Sequence, residues 1–165
     1  SSALLFDILR LKRGYTYGAY SSFSCGLHNN SFTARSSVQA TATKPSVELF
    51  REIIDGFDEI YTQEILDNTI ASLKKASCGK FENAFDRMYM LMDIYNYGLE
   101  DNYLKKREQE LSEMTLERAQ EVIAKYLDID KMAIVVVGDA KTQYEPLKKL
   151  GLKIGLYDLS LNPIK

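Results

Sequence analysis

Apolar residues recur at helical spacing from the start of the chain: Ala3, Leu4, Leu5, Ile8 and Leu9, with Lys12 closing the pattern. Gly14 after Arg13 predicts the helix end, because glycine enters the left-handed conformation without a Cβ clash. A run rich in Tyr, Thr and Phe follows over residues 15–23 and reads as a strand, with Tyr15, Tyr17, Ala19, Ser21 and Phe23 on one face. Residues 26–30 carry glycine and asparagine and predict a turn. A second strand alternates Phe32, Ala34, Ser36, Val38, Ala40 and Ala42 against Thr33, Arg35, Ser37, Gln39, Thr41 and Thr43. Together they predict an antiparallel hairpin.

Lys44-Pro45-Ser46 stops that strand and opens a helical pattern through Leu49, Phe50, Ile53, Ile54, Phe57 and Ile60. Thr62 is placed to cap a helix holding Ile65, Leu66, Ile70 and Leu73. Phe81, Phe85, Met88, Tyr89, Met92 and Tyr95 carry the next helix, closed by Gly98, and this Met and aromatic stripe reads as core. A charged helix over residues 101–111 and one capped by Thr115 come next. The β-branched run of residues 132–139 predicts a central strand buried on both faces. A short helix over 144–150 and a tail of weak strand character over 153–161 end the chain. The pattern is that of an α+β fold, a mixed or antiparallel sheet with helices packed on one face, in a single domain over residues 1–165.

At 165 residues, 45% hydrophobic and 27% charged, the chain has one ordinary domain's composition. With 21 basic and 23 acidic side chains the net charge is −2, which excludes a strongly basic nucleic-acid footprint. No apolar run reaches the roughly 18 residues of a membrane span. The opening lacks the basic start and small-residue exit of a signal peptide, so no targeting segment is expected. A helix starting at residue 1, with only Ser1 and Ser2 to cap it, reads as a fragment. Cys25 and Cys78 offer neither a disulfide framework nor a CxxC spacing, and the lone His28 lies in a polar loop sequence. One histidine excludes a multi-histidine site. Phosphate-loop, dinucleotide and nucleophile-elbow motifs are absent. No catalytic and no metal-ligating residue is assigned to this chain.

The stretch over residues 9–22 holds more specific chemistry. Arg10, a glycine stop and Tyr17 on the next strand form an R-x₆-Y arrangement. A guanidinium offers a planar fork to a peptide carboxylate or carbonyl, and a phenol donates one hydrogen bond to an oxyanion. The same residues admit a purely structural reading, with Arg10 serving its own helix terminus and Tyr17 packing across strands.

This stretch resembles the helix-to-strand segment of the C-terminal, non-metal-binding domain of insulinase/pitrilysin zinc metallopeptidases, whose members read close to LRexRGLxYsvyS. In the same order follow the small-residue strand over 33–43, Tyr61-Thr62-Gln63-Glu64-Ile65 opening a helix with Leu73-Lys74, Tyr97-Gly98-Leu99, Met114-Thr115 before a helix, and Ile134-Val135-Val136-Val137-Gly138-Asp139. Tyr15 stands where the family has Leu, and spacing from Arg10 assigns the family tyrosine to Tyr17.

The resemblance implies a C-terminal-half fragment of a larger zinc protease, with the first strand and helix of its domain missing. Its H-x-x-E-H site would lie in a partner N-terminal domain or homologous subunit, so zinc is expected there and no activity in this chain alone. The half seen here would close a chamber and hold peptide substrate, Tyr17 supporting the oxyanion and Arg10 orienting it. An uncovered sheet edge would favour self-association. The alternatives are a degenerate scaffold or assembly subunit of the same family and an unrelated α+β binding module. The resemblance leans towards a bacterial cell-envelope or periplasmic setting.

Overall fold

In the computed structural model, which describes residues 2–78 and 83–164, Leu5 and Leu9 are completely buried. They lie one turn apart on α1 (Ser2–Phe6) and its continuation Asp7–Lys12, which winds as a π-helix. The wider turn shows in Arg13 N, which donates to Ile8 O at 3.1 Å, five residues back. Gly14 then takes φ +66° and ends the helix, as the sequence predicts. The chain forms two compact units, residues 1–22, 32–55 and 128–165, and residues 23–31 and 56–127.

In the first unit Leu5, Leu9, Ala19 and Ile53 make the buried centre, with Leu4, Ile8, Tyr15, Ala34, Leu49 and Phe50 packed around it. Ala19 and Ala34 come from β1 (Thr16–Ser24) and β2 (Ser31–Val38), an antiparallel pair. Their small side chains let the helices approach the sheet. β2 stops at Val38, five residues short of the expected end. Residues Ala40–Ala42 curl into a 3₁₀ turn that the Thr43 hydroxyl closes by donating to Ala40 O at 2.9 Å. Pro45 falls in the first turn of α2 (Thr43–Asp55), where its missing N–H costs nothing. This turn propensity overrides the alternation of residues 39–43.

The expected central strand over 132–139 does not form. Met132 and Asp139 at its ends have extended backbone, yet the run belongs to no ladder. Val135 is 82% and Val137 88% exposed, against 42% and 39% for Ile134 and Val136. β-branched residues favour extension, but a strand also needs a neighbour for its backbone groups, and no described segment supplies one. The fold is α+β with a two-stranded antiparallel sheet among the described residues. α8 (Ala140–Lys148) is capped by Asp139, whose Oδ1 accepts from Lys141 N at 3.0 Å. The tail shows a single bridge, Tyr157 to Pro163, where weak strand character was expected.

In the second unit α3 (Phe57–Ile60) and α4 (Gln63–Cys78) pack with α7 (Leu116–Tyr126), and α4 also meets α6 (Tyr103–Ser112). Phe57, Leu66 and Leu127 are buried there, and Gln120 Nε2 donates to Tyr61 O at 3.1 Å. Gly56 separates α2 from α3 where the sequence pattern ran on as one helix. Thr62 and Thr115 cap as expected, accepting from Ile65 N and Arg118 N. α5 (Ala84–Tyr97) ends at Gly98 in the left-handed region. Its stripe is not core. Phe85 is 70% and Tyr95 87% exposed, and no residue of α5 is buried. Phe81 lies outside the described residues.

Leu9→Ala removes a side chain with no exposed surface and should lower stability by about 2–5 kcal/mol in urea melts. Leu11→Ala, at a position 67% exposed, should stay within about 0.5 kcal/mol. The tail loop offers a pH test. Asp158 accepts from Asn162 N at 2.9 Å, Asn162 Nδ2 at 3.2 Å and Ser160 N at 2.9 Å, which together hold its carboxyl below the ordinary 3.8. A depressed carboxyl stabilises above its unfolded value and loses that contribution as pH falls through the folded one. The Ser160 and Asn162 amide resonances should therefore hold their shifts at neutral pH and move only below about 3.8 in an NMR titration.

Candidate functional site

Arg10 sits in the π-helical turn, exposed, with its guanidinium 5.0 Å from the centroid of the Phe6 ring. Stacking on an aromatic face steadies a long cation while leaving its N–H groups available. Lys12 and Arg13 are also exposed, and none of the three takes part in an ion pair among the described residues. The helix C-terminus thus gathers three cations beside its own partial negative charge.

Tyr15 and Tyr17 part company. Tyr15 packs against the buried centre, and its backbone N–H donates to Leu9 O at 2.9 Å. Tyr17 is 93% exposed, and its hydroxyl makes no hydrogen bond among the described residues. The expected common face of Tyr15, Tyr17, Ala19, Ser21 and Phe23 is therefore corrected. Thr16 and Ala19, three positions apart, are both buried, so burial along β1 does not alternate two by two.

The cause is Thr16. Its Oγ1 accepts from Gly18 N at 3.0 Å and from Ser36 Oγ at 2.9 Å, and donates to Ser37 O at 2.6 Å. Ser36 Oγ also lies 2.8 Å from Gly18 O. This clamp ties residues 16–18 of β1 to β2. A Cβ at Gly18 would come within 2.7 Å of Tyr20 Oη, so the exposed Tyr20 ring would have to swing aside. Thr16 and Ser36 were not singled out in the sequence. The one available signal was hydroxyl residues on both strands of the hairpin.

No hydrogen bond joins Arg10 to Tyr17 among the described residues. Both present donors to solvent from a rigid base: the helix end by its backbone closure, the strand by the Thr16 clamp. The pair offers hydrogen-bond donors, a guanidinium fork and a phenol hydroxyl. It holds no nucleophile and no general base. His28 and Cys25 are exposed, and the Cys78 side chain lies outside the described residues. No group of three His, Cys, Asp or Glu among the described residues could hold a metal ion, so the donor set does not fit a zinc centre. Among the described residues, no helix is long and apolar enough to cross a membrane.

No family model and no curated protein sequence matches the chain. A solved structure does: the crystal structure of a peptidase M16 inactive domain from Pseudomonas fluorescens, with a TM-score of 0.70 and 26% identity over 77% of this chain. The chain has the fold of a peptidase M16 inactive domain. It spans 30% of the matched chain's length. The insulinase-type metallopeptidase resemblance carried by residues 9–22 and the later motifs is therefore supported by three-dimensional structure.

Thr16→Val keeps the shape but removes the oxygen at the centre of the clamp. Gly18 N then loses its acceptor, so the hairpin should be destabilised by about 1–3 kcal/mol in thermal or urea melts. Ser36→Ala should cost less, because Thr16 Oγ1 keeps its bonds to Gly18 N and Ser37 O.

Proposed function

We propose that this chain acts as the non-catalytic half of a larger zinc metallopeptidase, closing a chamber over a peptide and contributing Arg10 and Tyr17 to its binding. The observation that carries this reading is the presentation of Tyr17. Tyr17 is 93% exposed on β1, next to Thr16, which is bonded to β2, so its ring and hydroxyl are open to a partner outside the chain. The M16 inactive-domain fold supplies the context.

In this reading the Tyr17 hydroxyl donates a hydrogen bond to a substrate carbonyl oxygen as negative charge develops there. Arg10 engages a neighbouring carbonyl or carboxylate through its fork and aligns the peptide backbone past Tyr17. The zinc-bearing half supplies the hydrolytic chemistry, and this half supplies orientation and charge complementarity. An extended, unfolded peptide of medium length is the substrate class such a surface takes.

The test is kcat/KM on a short fluorogenic peptide, measured with the chain joined or mixed with its zinc-bearing half. Tyr17→Phe should lower kcat by about 10²-fold, near the lower end of the loss seen for one oxyanion donor. Arg10→Ala should raise KM as well, because a substrate anchor acts in the ground state too. Tyr15→Phe serves as the control and should be near neutral, since Tyr15 packs against the buried centre and its hydroxyl makes no hydrogen bond among the described residues. If all three variants match the wild type, the scaffold reading replaces this one. By itself the chain should hold no stoichiometric zinc after dialysis, checked by metal analysis, and should cleave nothing.

A further inference from the structure

Gly18 follows Tyr17 and is the most permissive residue the chain could place there. Both of its backbone polar groups are nevertheless met by side-chain hydroxyls. Its N–H donates to Thr16 Oγ1 at 3.0 Å, and its carbonyl oxygen lies 2.9 Å from Thr16 Oγ1 and 2.8 Å from Ser36 Oγ. The N–H bond closes a ring from residue 16 to residue 18, the side-chain counterpart of a backbone turn. Tyr17 is its middle residue, so both soft backbone torsions of Tyr17 lie inside the ring. Thr16 is buried, and the same oxygen reaches β2 through Ser37 O at 2.6 Å and Ser36 Oγ at 2.9 Å. One oxygen ties the residue before Tyr17 to the residue after it, and both to the second strand.

The consequence falls on the tyrosine. An exposed phenol turns about its own side-chain torsions, so what the fold can set is the direction in which its Cα–Cβ bond leaves the strand. That direction is decided by the two torsions the ring encloses. We propose that Thr16 is a positioning residue for Tyr17: its hydroxyl fixes the backbone on either side of the tyrosine, and with it the line along which the phenol meets a peptide. This rests on the role given to Tyr17 above and adds to it a residue that touches no substrate. A donor held in place before the peptide arrives has less freedom to lose as charge develops on a carbonyl oxygen. A hydroxyl is needed at residue 16 for this, and Thr supplies it from a β-branched side chain that is stiff at its first torsion. Val has the same shape and cannot close the ring.

In the chain alone the Gly18 amide reports the ring. Its hydrogen exchange should be about tenfold or more faster in Thr16→Val than in the wild type, and slow again in Thr16→Ser, which keeps the oxygen. With the chain joined to its zinc-bearing half, and below the melting transition of each variant, Thr16→Val should lower kcat by about tenfold and leave KM unchanged. The loss stays below that of Tyr17→Phe, because misplacing a donor costs no more than removing it. Thr16→Ser should restore kcat. The decisive comparison is the double variant: Thr16→Val with Tyr17→Phe should be no slower than Tyr17→Phe alone, since a hydroxyl that has been removed cannot be misplaced. Loss of folded protein would instead slow both backgrounds equally. Equal slowing in the two backgrounds, a Gly18 amide that Thr16→Val leaves unchanged, or a Thr16→Ser chain as slow as Thr16→Val would each overturn the proposal and leave the role of Tyr17 standing. A silent Tyr17→Phe would overturn both.

Discussion

Tyr15 joins three segments through its backbone alone. Its N–H donates to Leu9 O at 2.9 Å, and its carbonyl accepts from Gln39 N at 3.1 Å, so the helix end, the start of β1 and the exit of β2 meet at one residue. Backbone groups leaving water must find partners, and here that requirement is met between elements rather than within them. The side chain adds its ring to the same centre that holds Leu5, Leu9 and Ile53. Displacing this residue would loosen the helix closure and the hairpin together. The presentation of Arg10 and Tyr17 depends on it from both sides.

Local rules written in the sequence proved legible. Gly14 and Gly98 end helices in the left-handed region, and Thr62 and Thr115 cap them, because each effect is decided within four residues. What depended on a distant partner was not legible. The β-branched run after Met132 carries every local mark of a buried strand, but burial requires another segment to cover it. The Met and aromatic stripe of α5 poses the same problem: helical periodicity names the face, not what lies against it. β2 ended early because a 3₁₀ turn ahead of Pro45 outcompeted an alternation made of small residues with little to bury.

At the candidate site the sequence named residues but not their setting: the structure places Tyr17 in solvent and Tyr15 against the core. Regular alternation would have put both on one face. The irregularity comes from one hydroxyl, Thr16 Oγ1, whose bonds reach Ser36 and Ser37 some twenty positions away. A strand pattern read two residues at a time does not contain that information. The cation–π contact of Arg10 with Phe6 follows from their spacing of one helical turn.

The π-helical turn also affects how this motif should be sought in other chains. Over residues Asp7–Lys12 the backbone hydrogen bonds span five residues, one more than in an α-helix, and an α-helix rotates by about 100° for each residue. A single deletion after Leu9 would be absorbed by tightening that turn, leaving Leu5 and Leu9 in place and Gly14 still able to close the helix. An insertion has no such reservoir and would have to loop out. The interval between arginine and tyrosine is therefore elastic in one direction, and a rigid six-residue gap is too strict a ruler for recognising distant chains that present the same pair.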